Sequence, residues 1–245
     1  MKLLKFVYKG LITGMPILTY NPFNKNHFHA PFTIHPKSLY VNFKLNNEQK
    51  NIIQNDINLY SPDLKIIPIQ FNKDLPEDYY LSINIYNCTS PLFFNENPMT
   101  RLEINTYVND GIRNSTVILD YVSSYLSMDP INIFKSGSNI FYNNNLIHYN
   151  SKNVIFDLNL TTSDDDSIFN LSSNLVKMSD YIYYKNGILD KLFYDSSLVY
   201  AIHLIPQINK LHFSYNNLNF SKVDSIFYFN KHIYCVGSMW DNLNF

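Results

Sequence analysis

The sequence predicts a mainly β protein. It reads as one domain over residues 1–245, a closed or nearly closed antiparallel β-barrel or double sheet with one short helix near residues 47–59. Three observations lead there. Runs of β-branched and aromatic residues, set off by Asn, Asp, Ser and Pro, recur along the whole chain. The 20 Tyr and 18 Phe suit pleated, half-buried surfaces, and only one segment carries helix start signals. No composition shift or fixed-period repeat marks a boundary, and β folds of 245 residues commonly form one domain.

The elements follow in chain order. "MKLLKFVYKG" gives a strand at Leu3–Tyr8 rather than a leader, because Lys5 and Lys9 interrupt its apolar run. "HFHAPFTIH" reads as a loop around Pro31. His27 and His29 would need a third metal ligand, and no Asp, Glu or Cys stands at motif spacing, so no metal is expected. A strand at Leu39–Leu45 precedes the helix "NNEQKNIIQNDINLY", with Asn46 or Asn47 as N-cap and Glu48 in the first turn. Strands follow at Lys65–Phe71, Tyr79–Cys88, Arg101–Val108 and Ser115–Val122. Asp129–Phe134 forms a turn or short helix on Pro130, and Asn143–Asn145 a turn. Beyond Val154–Leu160 and an acidic loop, strands are expected at Ile168–Lys177, Tyr181–Lys185, Ile188–Tyr194 and Leu198–Ile205. Asn186-Gly187 closes a type I′ hairpin in this region. The last strands are Leu211–Tyr215, Ser225–Phe229 and His232–Val236, with tight connections at Asn216–Asn219 and Asn230–Lys231.

Charge excludes some functions. With 19 basic against 20 acidic side chains there is no cationic surface for nucleic-acid backbones or anionic membranes. Only 6 Gly are present, and no P-loop, G-x-G-x-x-G or G-x-S-x-G stands in the chain, so ATP and NAD chemistry is disfavoured and no cofactor is expected. No run is long enough to span a membrane as a helix. Two cysteines, Cys88 and Cys235, exclude a disulfide framework, and the chain is expected to be soluble and cytoplasmic. Its 35 Asn, set against few Gly, point to an AT-rich genome, which would fit a protist or a large DNA virus of such a host.

The chemistry rests on "MTRLEINTYV". Arg101, Glu103, Asn105 and Tyr107 alternate with Leu102, Ile104, Thr106 and Val108. The preceding "YLSINIYNC" sets Ser82, Asn84 and Tyr86 on one face, and the following strand brings Asp120. A meander of these three strands puts same-face residues about 5 Å apart. An ordinary antiparallel sheet turns such a row to water. If the row instead lines a cavity, Arg101 can grip a carboxylate in a forked geometry and a desolvated Glu103 can act as acid or base. Asn84, Tyr86, Tyr107 and Asp120 would complete the binding face, and Lys135 would point in from the mouth.

The order of features in "LSINIY", "TRLEINTYV" and "VILDYVSSYLSMDP", within residues 80–135, resembles the acetoacetate-decarboxylase-like superfamily. The resemblance implies a β-barrel-like fold with an internal pocket, small organic acids as ligands, and lyase or decarboxylase chemistry in some members. Arg101 and Glu103 would be the pocket's polar pair. Imine-forming decarboxylases use a lysine of lowered pKa, commonly one of two adjacent lysines. This chain has no Lys-Lys pair; Lys135, Lys152 and Lys177 are singletons.

Two functions are therefore carried forward. One is a cofactor-free, lyase-like enzyme or binding barrel for a small organic carboxylate or lipid-derived acid. The other is a non-catalytic β domain for protein interaction or assembly, viral or otherwise and capable of homo-oligomerising, with Arg101, Glu103 and Tyr107 facing solvent.

Overall fold

The computed structural model describes residues 29–89, 98–124, 140–143, 145–161, 167–170, 181–184, 189–194, 200–204, 207–229 and 233–238. The expected strand at Leu3–Tyr8, His27, the turn at Asp129–Phe134, Lys135, Lys177, Asn186-Gly187 and Asn230–Lys231 lie outside these residues.

The described residues open with β1 (His29–Ile34), β2 (Ser38–Lys44), α1 (Asn47–Asn58) and β3 (Lys65–Ile66). Three long strands follow, β4 (Tyr80–Thr89), β5 (Met99–Asn109) and β6 (Asn114–Ser123). Then come β7 (Ile140–Asn143), β8 (Leu146–Asn150), β9 (Val154–Thr161), β10 (Ser167–Asn170), β11 (Tyr181–Tyr184) and β12 (Leu189–Tyr194). The described chain ends with β13 (Tyr200–Leu204), β14 (Gln207–Tyr215), β15 (Leu218–Phe220), β16 (Ser225–Phe229) and β17 (Ile233–Ser238).

Two sheets carry these strands, the double-sheet form of the sequence expectation. The larger has twelve strands in the order β10-β13-β16-β2-β4-β1-β17-β12-β11-β6-β5-β3, and β4 pairs additionally with β5. β4 thus has β5 along one edge, and β2 followed by β1 along the other. Every pairing is antiparallel except β6 with β11, where Ile182 registers with Thr116. The smaller sheet runs β15-β14-β9-β8-β7.

Local chemistry explains the boundaries. Asn46 caps α1 through a reciprocal pair: its Oδ1 accepts from Gln49 N–H at 2.8 Å, and Gln49 Oε1 accepts from Asn46 N–H at 3.0 Å. The β14–β15 hairpin turns on Asn216 and Asn217, at φ 47° and 66°, the left-handed pair a type I′ turn needs. The expected strand Lys65–Phe71 is shorter, with Ile69 joined only by an isolated bridge to Asp78. The hairpin of β7 and β8 was not expected as strands, although its Asn143–Asn145 connection was. The loop expected around Pro31 is instead strand β1. There β1 pairs along its length with β17, and β4 joins only at Thr33 and Ile34. One edge of Pro31 is therefore unladdered, where a missing N–H costs nothing.

The main core fills the space between the sheets. Leu39, Val41 and Phe43 of β2, Leu81, Ile83 and Ile85 of β4, and Leu102 and Ile104 of β5 supply one side. Ile147, Phe156, Leu158 and Phe213 supply the other, with Ile53 and Ile57 of α1 closing the end. Phe43 sits 4.7 Å from Phe213, 5.5 Å from Phe220 and 6.5 Å from Phe156, centroid to centroid, so a single ring joins the sheets. Phe43→Ala is expected to cost about 3–5 kcal/mol in urea unfolding, and Asn46→Ala only about 1 kcal/mol. Equal losses would show that Phe43 does not join the sheets.

Candidate functional site

The apolar faces of β4 and β5 are spent on the core described above, so Ser82, Asn84, Tyr86, Arg101, Glu103, Asn105 and Tyr107 occupy the opposite face. That face is buried too. Arg101 is 5% exposed and Glu103 8%, so the charged row does not meet water. Register fixes who faces whom: Tyr86 lies opposite Arg101, Asn84 opposite Glu103, and Ser82 opposite Asn105.

Glu103 sits at the centre of a donor cluster. Tyr86 Oη donates to Glu103 Oε1 at 2.5 Å, and Asn84 Nδ2 reaches Oε2 at 3.5 Å while also donating to Tyr40 Oη at 3.1 Å. Arg101 lies with its guanidinium over the Tyr121 ring, 5.2 Å from the centroid. Burial raises the Glu103 pKa, and the donors Tyr86, Arg101, Asn105 and Asn84 offset part of that rise. Burial, followed by the neighbouring Glu103, pushes the Tyr86 phenol well above its ordinary range. Glu103 thus combines a proton affinity raised by burial with a phenol 2.5 Å away.

Tyr107 belongs to a neighbouring network. Its Oη lies 3.1 Å from Ser82 Oγ, Ser82 Oγ donates to Asn42 Oδ1 at 2.7 Å, and Asn42 Nδ2 donates to Ser225 Oγ at 3.1 Å. Burial raises the Tyr107 pKa strongly.

The predicted residues divide accordingly. Arg101, Glu103, Asn84 and Tyr86 come together, and Tyr107 lies on the same face at the Ser82 end. Asp120 does not join them. A bulge in β6, where Ile104 registers with Asp120 and Asn105 with Ile118, turns Asp120 to the face of Leu102 and Ile104, and its Oδ1 accepts from the Tyr121 N–H. Lys152 is exposed on the β8–β9 turn, away from this row. Tyr40, Asn42, Tyr121 and Ser225 were not singled out from sequence. Their signal was the same alternation, in "SLYVNFK" and "SIFYF", but only the β2–β4 and β2–β16 registers bring it to this face. Among the described residues no group of three His, Cys, Asp or Glu is placed to hold a metal ion.

No protein-family model and no curated protein matches the sequence. Solved structures do. Acetoacetate decarboxylase from Legionella pneumophila superposes over 93% of this chain and 92% of its own, at TM-score 0.50 and 11% identity. The fold is acetoacetate-decarboxylase-like. Also similar are an acetoacetate decarboxylase-like enzyme from Sphingomonas wittichii (TM-score 0.44, 10% identity, 90% and 95% of the two chains) and the enduracididine biosynthesis enzyme MppR complexed with pyruvate (TM-score 0.42, 6% identity, 86% and 88%). In this acetoacetate-decarboxylase-like fold, the polar row occupies the two central strands β4 and β5.

The raised Glu103 pKa fixes a pH dependence. The folded chain holds this proton more tightly than the unfolded chain. The associated stability is therefore complete below the ordinary value of about 4.5 and is lost as pH rises through the raised value. Across that window the urea midpoint of the wild type should fall relative to that of Glu103→Gln, which carries no such group. Midpoints that stay parallel from pH 4 upward would show that burial does not perturb Glu103.

Proposed function

We propose that this chain binds a small organic carboxylate or lipid-derived acid in its interior and acts on it without a cofactor, in the manner of a lyase or decarboxylase. Arg101 anchors the carboxylate, Glu103 is the acid/base group, and Asn84, Tyr86 and Tyr107 supply hydrogen bonds around it. Lys135 stays in this proposal as a further catalytic candidate.

The observation that carries the reading is the joint burial of Arg101 and Glu103 on one strand face. Taking a guanidinium and a carboxylate out of water costs several kcal/mol per ion, and packed apolar residues of equal volume serve stability as well or better. A buried pair of this kind, with a perturbed carboxyl at its centre, is the pattern of a site rather than of a core. The fold supports the same reading, since an acetoacetate decarboxylase shares it. The lysines whose side chains are described, Lys37, Lys44, Lys50, Lys65, Lys73, Lys152, Lys210 and Lys222, are exposed or half-buried, and Glu103 is a buried ionisable group on the face of Arg101. The assembly reading required Arg101, Glu103 and Tyr107 at the surface, and all three are buried.

The test is a screen of short carboxylic acids by thermal shift and ligand-observed NMR on the full chain. At least one acid should raise the midpoint saturably, by linkage to the folded state. Arg101→Met should weaken that binding by more than about tenfold, the loss expected for charge-assisted hydrogen bonds, with the circular-dichroism spectrum unchanged. Undiminished binding to Arg101→Met would remove the anchor role. The absence of any binding acid would remove the function.

A further inference from the structure

Resting on the reading that Arg101 and Glu103 bind a small acid, we infer that this acid carries a hydroxyl or amino group beside its carboxylate. The inference comes from Asn84 and Asn105, diagonal neighbours on β4 and β5 that flank Glu103 on the buried face. Each is 5% exposed, and each has a carbonyl oxygen, Oδ1, without a hydrogen-bond partner among the described residues. The orientation of the Asn84 amide is set by what surrounds it. Asn84 Nδ2 points to Tyr40 Oη and Glu103 Oε2. Rotating this amide by half a turn would set its oxygen against Glu103 Oε2 and remove a donor.

The site therefore holds donors at one end and unmet acceptors beside them. Arg101 can satisfy a carboxylate. The two Oδ1 atoms can be satisfied only by N–H or O–H groups, and leaving them unmet in a buried place is costly. A ketone oxygen brings acceptors alone and would meet two further acceptors. A hydroxyl or amine on the second or third carbon reaches Asn84, because the Asn84–Glu103 row lies one row along the strands from Arg101, about 7 Å at the backbone and less at the side-chain tips, and Asn105 lies one row further. The chemical class is a small hydroxy or amino acid.

Matched pairs decide the matter: lactate against pyruvate, and 3-hydroxybutyrate against acetoacetate, titrated onto the full-length chain by calorimetry and ligand-observed NMR. The hydroxy acid of at least one pair should bind about tenfold or more tighter than its oxo partner, the discrimination expected when a missing donor leaves buried acceptors unpaired. Asn84→Leu should reduce that preference toward unity. Oxo acids that bind as tightly as hydroxy acids, or tighter, would overturn the inference and leave the carboxylate site standing. If neither member of either pair binds while another carboxylate without a donor group does, the inference also fails and the site stands. If no acid binds at all, both fail together.

Discussion

β4 and β5 are buried on both faces, and the rest of the structure follows from that constraint. One face supplies the core that joins the two sheets through Leu81, Ile83, Ile85, Leu102 and Ile104. The other carries a guanidinium, a carboxyl, two amides and three phenols into the interior. A strand buried on both faces normally reads as a continuous apolar run. Here the alternation survives because many polar groups of the second face pair with one another, Tyr86 with Glu103, Asn84 with Tyr40, Ser82 with Asn42 and Tyr107, while the carbonyl oxygens of Asn84 and Asn105 stay unmet. A buried polar network must be nearly complete, since each unmet group carries the full cost of its desolvation.

That constraint also explains what the sequence could and could not disclose. The helix from its Asn46 cap, the strands at Ser38–Lys44, Tyr80–Thr89, Met99–Asn109 and Ser225–Phe229, and the β14–β15 turn were all legible, because caps, turns and period-two alternation are local. The direction of the charged row was not. Alternation states that Arg101 and Glu103 share a face, but burial depends on which distant segments cover it. The partners Tyr40, Asn42 and Ser225 arrive from far along the chain, by registers no local pattern encodes. The misplacement of Asp120 has a different origin. One extra residue in β6 shifts the register, and this bulge has no glycine to announce it.

Proline and strand periodicity pulled in opposite directions at β1, and the partner decided. "HAPFTI" has a respectable β composition, and Pro31 argued for a loop. The competing force is the pairing with β17, in which Pro31 registers with Val236 and the flanking residues hold the ladder. A proline is a fault only where its missing N–H faces a partner strand, and β4 does not reach that far along β1.

The chemistry of the row turns on how burial and the neighbouring groups act on one carboxyl. Burial favours the protonated form of Glu103, and the hydrogen bond from Tyr86 and the Arg101 charge favour the ionised form. Burial is the larger effect, and the net shift is upward. A bound carboxylate would engage the guanidinium and bring its own negative charge close to Glu103, which favours the protonated form. If Arg101 receives an anion, as proposed above, ligand binding and proton uptake at Glu103 are linked, because the charge that Arg101 binds also favours the protonated acid.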